Sequence, residues 1–277
     1  MTTRTPSTDG ECRLKDGVRV GYTVLGDPAS AHRVALVHSL AMDREFWRPV
    51  AEQLSGRACV LIPDCRGHGA SEKPAGPYMV ERFADDLAEL FDYLGWRDAL
   101  VAGASMGGCV ALGFAARHPA RTAALGLVDT TAWYGADAPA QWAERANRAL
   151  DAGLASLVEF QTTRWFSDAF RSEHRDVVAD CVRRFIDNDP TAYAESCRML
   201  GACDLREALP GIKAPAAVLV GEEDYATPLA MAQALRDGIP GASLEVLAGA
   251  RHLTPLEDPA AVSAFLGRLM DRGGAAP

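Results

Sequence analysis

The chain lacks any Cys-x-x-Cys pair and any His and Cys spacing suited to a metal, although seven cysteines are spread over its 277 residues. Cys12, Cys59, Cys65, Cys109, Cys181, Cys197 and Cys203 are therefore expected to be reduced thiols that pack as small apolar groups. Positive charge is in short supply: 28 Lys and Arg against 37 Asp and Glu leave a formal net charge of −9. Neither nucleic acid nor an anionic membrane surface attracts such a protein, and an anionic small molecule would need a local basic pocket. No run approaches the ~18 uninterrupted apolar residues of a membrane span, and Met1 to Ser7 has no segment of signal-peptide character. The expectation is a soluble, cytoplasmic protein. Internal repeats are missing too, so a repeat array is excluded. Apolar bulk is plentiful: at 48% hydrophobic residues the chain can build one extended core with an insertion.

Arg13-Leu14 and Val18 to Leu25 flank Lys15-Asp16-Gly17, whose Asp-Gly step signals a hairpin and hence an antiparallel edge. Further strands are expected at 34–37, 58–62, 100–102, 124–128, 218–220 and 244–247. Helical patterns separate them. One spans Phe46 to Leu54, and in another Phe83, Leu87, Leu90, Phe91 and Leu94 recur at helical spacing behind Glu81, Asp85, Asp86 and Glu89, with Gly95 as its stop. Thr227-Pro228 reads as the N-cap and first turn of a helix reaching Leu235, and 262–270 as a closing helix. The Gly-Gly-Ala-Ala-Pro tail reads as disordered. Such alternation implies a mostly parallel sheet whose crossovers cover both faces. The beat breaks between about 130 and 206, where Trp142, Leu150, Leu154, Leu157, Phe160 and Phe185 sit in helical patterns without a strand. The expected organisation is a core at 11–130 and 207–272 with a helical cap at 131–206.

Gly103-Ala104-Ser105-Met106-Gly107 follows the apolar run Leu100-Val101-Ala102 and opens the helix-like stretch Cys109 to Ala116. Glycines on both flanks remove the Cβ atoms that would collide in a sharp strand-to-helix turn, and that turn leaves the Ser105 hydroxyl above the sheet edge, able to attack a carbonyl. A serine hydroxyl is a weak nucleophile at neutral pH, so it needs a base, and the base needs a third group to fix its tautomer. His252 lies in the loop after the last expected strand, over the same carboxyl edge as Ser105. The other histidines fit less well: His32 precedes a strand, His118 ends a helix before Pro119, His174 lies in the insertion, and His38 and His68 occupy upstream loops. Asp224 follows the penultimate strand and can orient the far nitrogen of His252, giving the chain order Ser, Asp, His. Asp129, after the strand that follows the elbow helix, is the rival acid and otherwise a loop or cap anchor; Glu222 and Glu223 are acidic neighbours. The oxyanion needs two backbone amides, each worth about 3 kcal/mol of barrier. Met106 is one, and Leu40 in the His38-Ser39-Leu40 loop is the other, with the His38 and Ser39 side chains supporting the turn. Cys65, in the Asp64 to Gly69 loop, is the thiol placed to approach this site.

From about Arg13 to Met270 the chain resembles the α/β-hydrolase superfamily. The resemblance rests on the combination of His38-Ser39-Leu40, Arg66-Gly67-His68-Gly69, the Ser105 elbow, Gly221-Glu222-Glu223-Asp224 and His252. Within the superfamily it is most similar to the 3-oxoadipate enol-lactonases, through Arg164-Trp165-Phe166, Asp204 to Pro210, and Gly249-Ala250-Arg251-His252-Leu253. This resemblance implies an α/β fold with a mostly parallel sheet, helices on both faces and an inserted helical cap. It also implies hydrolysis of a small acidic lactone or ester through an acyl-enzyme, with no metal or organic cofactor. The chain departs from the enol-lactonase pattern at His38, where Asn or Ser is common, and at Arg251, where a small residue is common. Specificity is expected in the cap, with Trp133, Trp142, Trp165 and Phe166 as candidate walls and Arg164 and Arg198 as candidate partners of a substrate carboxylate. Two alternatives share the scaffold: hydrolysis of an enamide such as an acylaminomethylene succinate, and cleavage of a carbon–carbon bond beside a ketone. Serine at the elbow argues against dehalogenases and epoxide hydrolases, which attack with a carboxylate. A ligand-binding protein that retains the fold is the non-enzyme alternative. The expected partner is a small molecule, and a homo-oligomer is left open.

Overall fold

The computed structural model describes residues 6–273. The expectation of a disordered tail falls, from residue 274 on, outside the described residues. Strands form at Ser7–Arg13 (β1), Arg19–Leu25 (β2), Arg33–Val37 (β3), Cys59–Pro63 (β4), Ala99–Ala104 (β5), Thr122–Val128 (β6), Ala216–Gly221 (β7) and Ser243–Leu247 (β8). Among the described residues they make one eight-stranded sheet in the order β1-β2-β4-β3-β5-β6-β7-β8. β1 pairs antiparallel with β2, and β2 with β4; every other neighbour is parallel. The edge hairpin is longer than its apolar pattern suggests. Its outer strand begins at Ser7, where pairing with β2 starts, and Ser7 to Glu11 is a polar, largely exposed ribbon without the hydrophobic alternation that would announce it.

All residues of β4, β5 and β7 are buried. Since successive side chains point to opposite faces, the sheet is covered on both. Helices Arg48–Leu54 (α1), Val80–Leu94 (α2) and Met106–Arg117 (α3) supply part of that cover, and α2 packs against α3. The strand order reverses about β3, which lies between β4 and β5. In an open α/β sheet the crevice at such a reversal, beyond the carboxyl ends of the strands, is where ligands bind.

Between β6 and β7 the chain leaves the sheet for helices Ala138–Ala152 (α4), Val158–Trp165 (α5), Asp168–Glu173 (α6), Arg175–Ile186 (α7) and Pro190–Ala202 (α8). The two ends of this excursion meet: Trp133 bridges to Asp204, and the Leu205 N–H donates to the Ala132 carbonyl at 2.9 Å. Helices Leu229–Gly238 (α9), Thr254–Glu257 (α10) and Pro259–Gly273 (α11) complete the fold, and α11 packs against α1 and β6. Thr227 does not cap α9, whose N-cap is Pro228. Its hydroxyl is committed instead to Asp224, as described next.

Candidate active site

Ser105 stands between β5 and α3 with φ +52° and ψ −117°, a conformation costly for any residue with a Cβ. The turn is affordable only because its neighbours are bare. A Cβ on Gly103 would lie 2.0 Å from the Gly107 carbonyl oxygen, and one on Gly107 would lie 2.0 Å from that of Val37. The Ser105 carbonyl is held by the Thr130 hydroxyl at 2.7 Å, which leaves the side chain to face outward.

His252 Nε2 lies 2.9 Å from Ser105 Oγ, and His252 Nδ1 lies 2.7 Å from Asp224 Oδ2. Asp224 is buried and accepts from every side: the Ala226 and Thr227 N–H groups reach Oδ1 at 2.7 and 2.9 Å, and the Thr227 hydroxyl reaches Oδ2 at 2.8 Å. Burial alone would push the carboxyl up, but the adjacent His252 ring and the Thr227 donors outweigh it and hold Asp224 below the usual carboxylate value. An ionised Asp224 takes the Nδ1–H of His252, so Nε2 is left with its lone pair directed at the Ser105 hydroxyl.

Asp129 sits elsewhere. Fully buried, at φ +46°, it accepts from the Gly221 N–H at 3.1 Å and from the Thr254 N–H and hydroxyl at 3.1 and 2.7 Å. It therefore ties the ends of β6 and β7 to the residues following His252. Burial and then the Asp224 charge push its carboxyl well above the ordinary value.

The imidazole loop is anchored amide by amide. Arg251 N–H donates to Glu257 Oε2 at 2.6 Å, His252 and Leu253 N–H both donate to the Trp165 carbonyl at 3.2 and 3.0 Å, and Thr254 N–H goes to Asp129. Arg251 Nη1 returns two bonds to the cap, to the carbonyls of Thr163 at 2.9 Å and Phe166 at 3.0 Å.

The two backbone amides expected to serve the oxyanion lie near Ser105. Met106 N–H opens α3, where the first amides have no acceptor inside the helix. Leu40 borders the same cavity as Ser105. Its loop is braced by His38, whose Nδ1–H donates to the Ser39 carbonyl at 2.8 Å while Nε2 accepts the Cys65 N–H at 3.0 Å. Both ring nitrogens are thus used by backbone, and burial lowers the His38 pKa, so the ring is a neutral strut. Cys65 reaches the site only through that amide. Its thiol is buried and its pKa is raised by burial, and all seven cysteines are free.

A small cavity, open in part to solvent, lies over Ser105. Trp142, Arg164 and Trp165 line it. Phe166 does not reach it, being fully buried in a stack on Phe170. Trp133 and Arg198 are corrected as substrate contacts. Trp133 lies at the neck of the insertion under the Arg206 guanidinium, 3.8 Å from its ring centroid, and borders a different groove. Arg198 is paired with Glu195 at 2.5 Å on the exposed side of α8. Tyr134, Arg145 and Gln161 line the cavity and escape the sequence reading. Arg145 carries the one usable signal, since it stands three residues after Trp142 and shares its helix face. Its guanidinium stacks 4.3 Å from the Trp142 ring centroid and 5.0 Å from that of Phe160, and Arg164 lies 5.0 Å from the same Phe160 centroid. Among the described residues neither arginine has a carboxylate within salt-bridge reach. No group of three His, Cys, Asp or Glu among them could hold a metal, and no helix is long and apolar enough to cross a membrane.

Residues 33–259 match a family model described as alpha/beta hydrolase fold. The 3-oxoadipate enol-lactonase 2 of Acinetobacter baylyi is 31% identical over 257 residues, which span 92% of this chain and 94% of that relative. The solved enol-lactonase from Burkholderia xenovorans LB400 superposes with a TM-score of 0.91 at 33% identity, covering 95% of this chain and 100% of the other. A malate-bound thermophilic esterase from Thermogutta terrifontis gives a TM-score of 0.89 at 28% identity, covering 96% and 99% of the two chains.

Proposed function

The chain belongs to the α/β-hydrolase fold family, and from that membership we propose that it is a serine hydrolase opening a small acidic lactone or ester, similar to 3-oxoadipate enol-lactone, through an acyl-enzyme. The observation that carries this reading is the continuous hydrogen-bonded chain Ser105, His252, Asp224 beneath a small cavity. Ser105 Oγ attacks the substrate carbonyl while His252 Nε2 takes its proton, and the Asp224 carboxylate stabilises the imidazolium that forms. The tetrahedral oxyanion is met by the Leu40 and Met106 amides. Its collapse breaks the ring C–O bond, His252 returns the proton to the leaving oxygen, and the acyl group stays on Ser105. Water, deprotonated by His252, then releases the acid. With an enol as leaving group, tautomerisation to the ketone draws the opening forward.

The acidic character of the substrate is supported from two directions. The relatives include enol-lactonases and an esterase solved with malate. Within a protein of net charge −9, the cavity also presents two guanidinium groups, Arg145 and Arg164, whose donors no carboxylate among the described residues occupies. A substrate carboxylate would supply the missing partner.

The test is exposure to a fluorophosphonate followed by mass spectrometry, together with product analysis on enol-lactones, simple aryl esters, acylaminomethylene succinates and diketones. Labelling at Ser105 and fastest turnover of an acidic lactone or ester are expected. Turnover confined to the enamides or diketones would move the substrate class. A folded protein unlabelled at Ser105 would replace the enzyme reading by ligand binding.

A further inference from the structure

A loop that carries a catalytic base has no ladder to hold it, so each of its backbone amides must find an acceptor or go unpaired. In the stretch 251–254 all four do. Only Glu257 lies close in sequence; the others are Asp129 and, for the two amides at and just after the imidazole, the single carbonyl of Trp165. Trp165 is the last residue of α5, and the final carbonyls of a helix have no partner within it. They are available to bind His252 and Leu253 because the helix stops there. What keeps the helix end in place is Arg251. Its guanidinium bonds the Thr163 and Phe166 carbonyls on either side of Trp165, and a cation at a helix C-terminus also meets the negative end of the dipole. Glu257 closes the same seam from the opposite side, accepting the N–H of Ser167 as well as that of Arg251. Asp168 and Glu223 lie 3.0 and 3.4 Å from the guanidinium, and the Tyr225 ring centroid lies 5.7 Å from it.

We infer that Arg251 is a positioning residue for the hydrolytic reaction: it caps α5 from outside and thereby holds the Trp165 carbonyl where it fixes the backbone of His252. The inference rests on the serine-hydrolase reading of the same site. It also makes one rigid unit of the base and of the cap segment that lines the cavity through Arg164 and Trp165. Misplacement of a reacting group by about 1 Å costs on the order of 10²-fold in rate. Arg251→Gln keeps a donor of shorter reach and should lower kcat on an activated ester by roughly that factor. Arg251→Lys, which can still reach one carbonyl as a cation, should recover part of the loss.

A merely structural arginine would lower Tm and leave kcat per folded molecule alone, so three readouts are compared: kcat, Tm, and the downfield proton resonance of His252 Nδ1–H. Arg206→Gln is the control, a cap-neck arginine paired with Asp204 and remote from the imidazole. The expected result is a fall in kcat and a shifted or broadened Nδ1–H resonance in Arg251→Gln, with partial return in Arg251→Lys and neither change in Arg206→Gln. An unaltered resonance together with unaltered kcat in Arg251→Gln, whatever its Tm, overturns the inference. If the wild-type protein neither turns over esters nor is labelled at Ser105, the hydrolase reading fails, while the resonance still decides whether Arg251 positions the ring.

Discussion

Two buried carboxylates compete for the role of orienting acid, and their surroundings assign opposite phenotypes to the same change. In Asp224→Asn the side-chain oxygen is kept at the Oδ1 position by the Ala226 and Thr227 N–H groups, so the new amide nitrogen must occupy the Oδ2 position facing His252. Its N–H groups can only donate there. His252 is then forced to accept at Nδ1 and to carry its proton at Nε2, which turns a base toward Ser105 into a donor. The wrong tautomer costs on the order of 10⁴ in kcat, or about 5 kcal/mol of transition-state stabilisation. Stability should change little: the two N–H bonds to Oδ1 survive, and the Thr227 hydroxyl can turn from donating to accepting at the Oδ2 position. Asp129→Asn behaves in the reverse way. Asparagine tolerates the positive φ of this residue, and its oxygen can still accept both Thr254 donors, but the Gly221 N–H loses its acceptor. An unsatisfied buried amide costs about 1–3 kcal/mol, which for a chain of this size lowers Tm by roughly 5 °C. Initial rates on an activated ester, corrected for active sites by fluorophosphonate titration, and thermal melts of both variants decide the matter. Asp224→Asn retaining a tenth of wild-type kcat, or Asp129→Asn losing three orders of magnitude while folded, would refute the assignment.

Burial pushes the His68 pKa down to about 3, so between that value and the ~6.5 of the unfolded chain only the unfolded state takes up the proton. Stability is therefore full above about pH 6.5 and drains as pH falls toward 3, on the order of 5 kcal/mol in the limit. Urea midpoints between pH 7 and 4 should fall steeply in the wild type and less so in His68→Gln; parallel curves would contradict this. Gly103→Ala, whose methyl would meet the Gly107 carbonyl at 2.0 Å, should abolish soluble folded protein, whereas Gly56→Ala, with open space around it, should not. Replacing Arg145 and Arg164 together by Gln should reduce the ratio of kcat/KM for a hemisuccinate aryl ester over its neutral butyrate analogue by at least tenfold, through KM; an unchanged ratio would remove the arginines from substrate recognition.

The parts of the site that could be read from the sequence are those a backbone constraint ties to a local pattern. The elbow needs glycines on both flanks of Ser105, and His252 and Asp224 follow strands whose apolar runs announce them, so strand order alone brings them to one rim. The cap has no such anchor. Whether an arginine on an amphipathic helix faces inward depends on how α4 settles against α8, so the sequence alone does not separate the cavity-lining Arg145 from the surface-paired Arg198. Trp133 carries the apolar bulk expected of a pocket wall but is spent at the neck of the insertion. Thr227 has the residue type of a helix cap, and a buried carboxylate three residues earlier outbid the helix for its hydroxyl. The first half of β1 is silent because an exposed edge ribbon needs no hydrophobic residues.

The narrow stem at Trp133 and Asp204 suggests that the whole helical excursion could be exchanged for another, as one swaps a head on a fixed handle. The carbonyl of Trp165 says otherwise. A chimaera built by splicing a foreign lid at that stem would inherit an intact scaffold and yet leave the imidazole unmoored, so grafts meant to change what the protein accepts must bring a compatible helix end with them, or be co-selected with position 251.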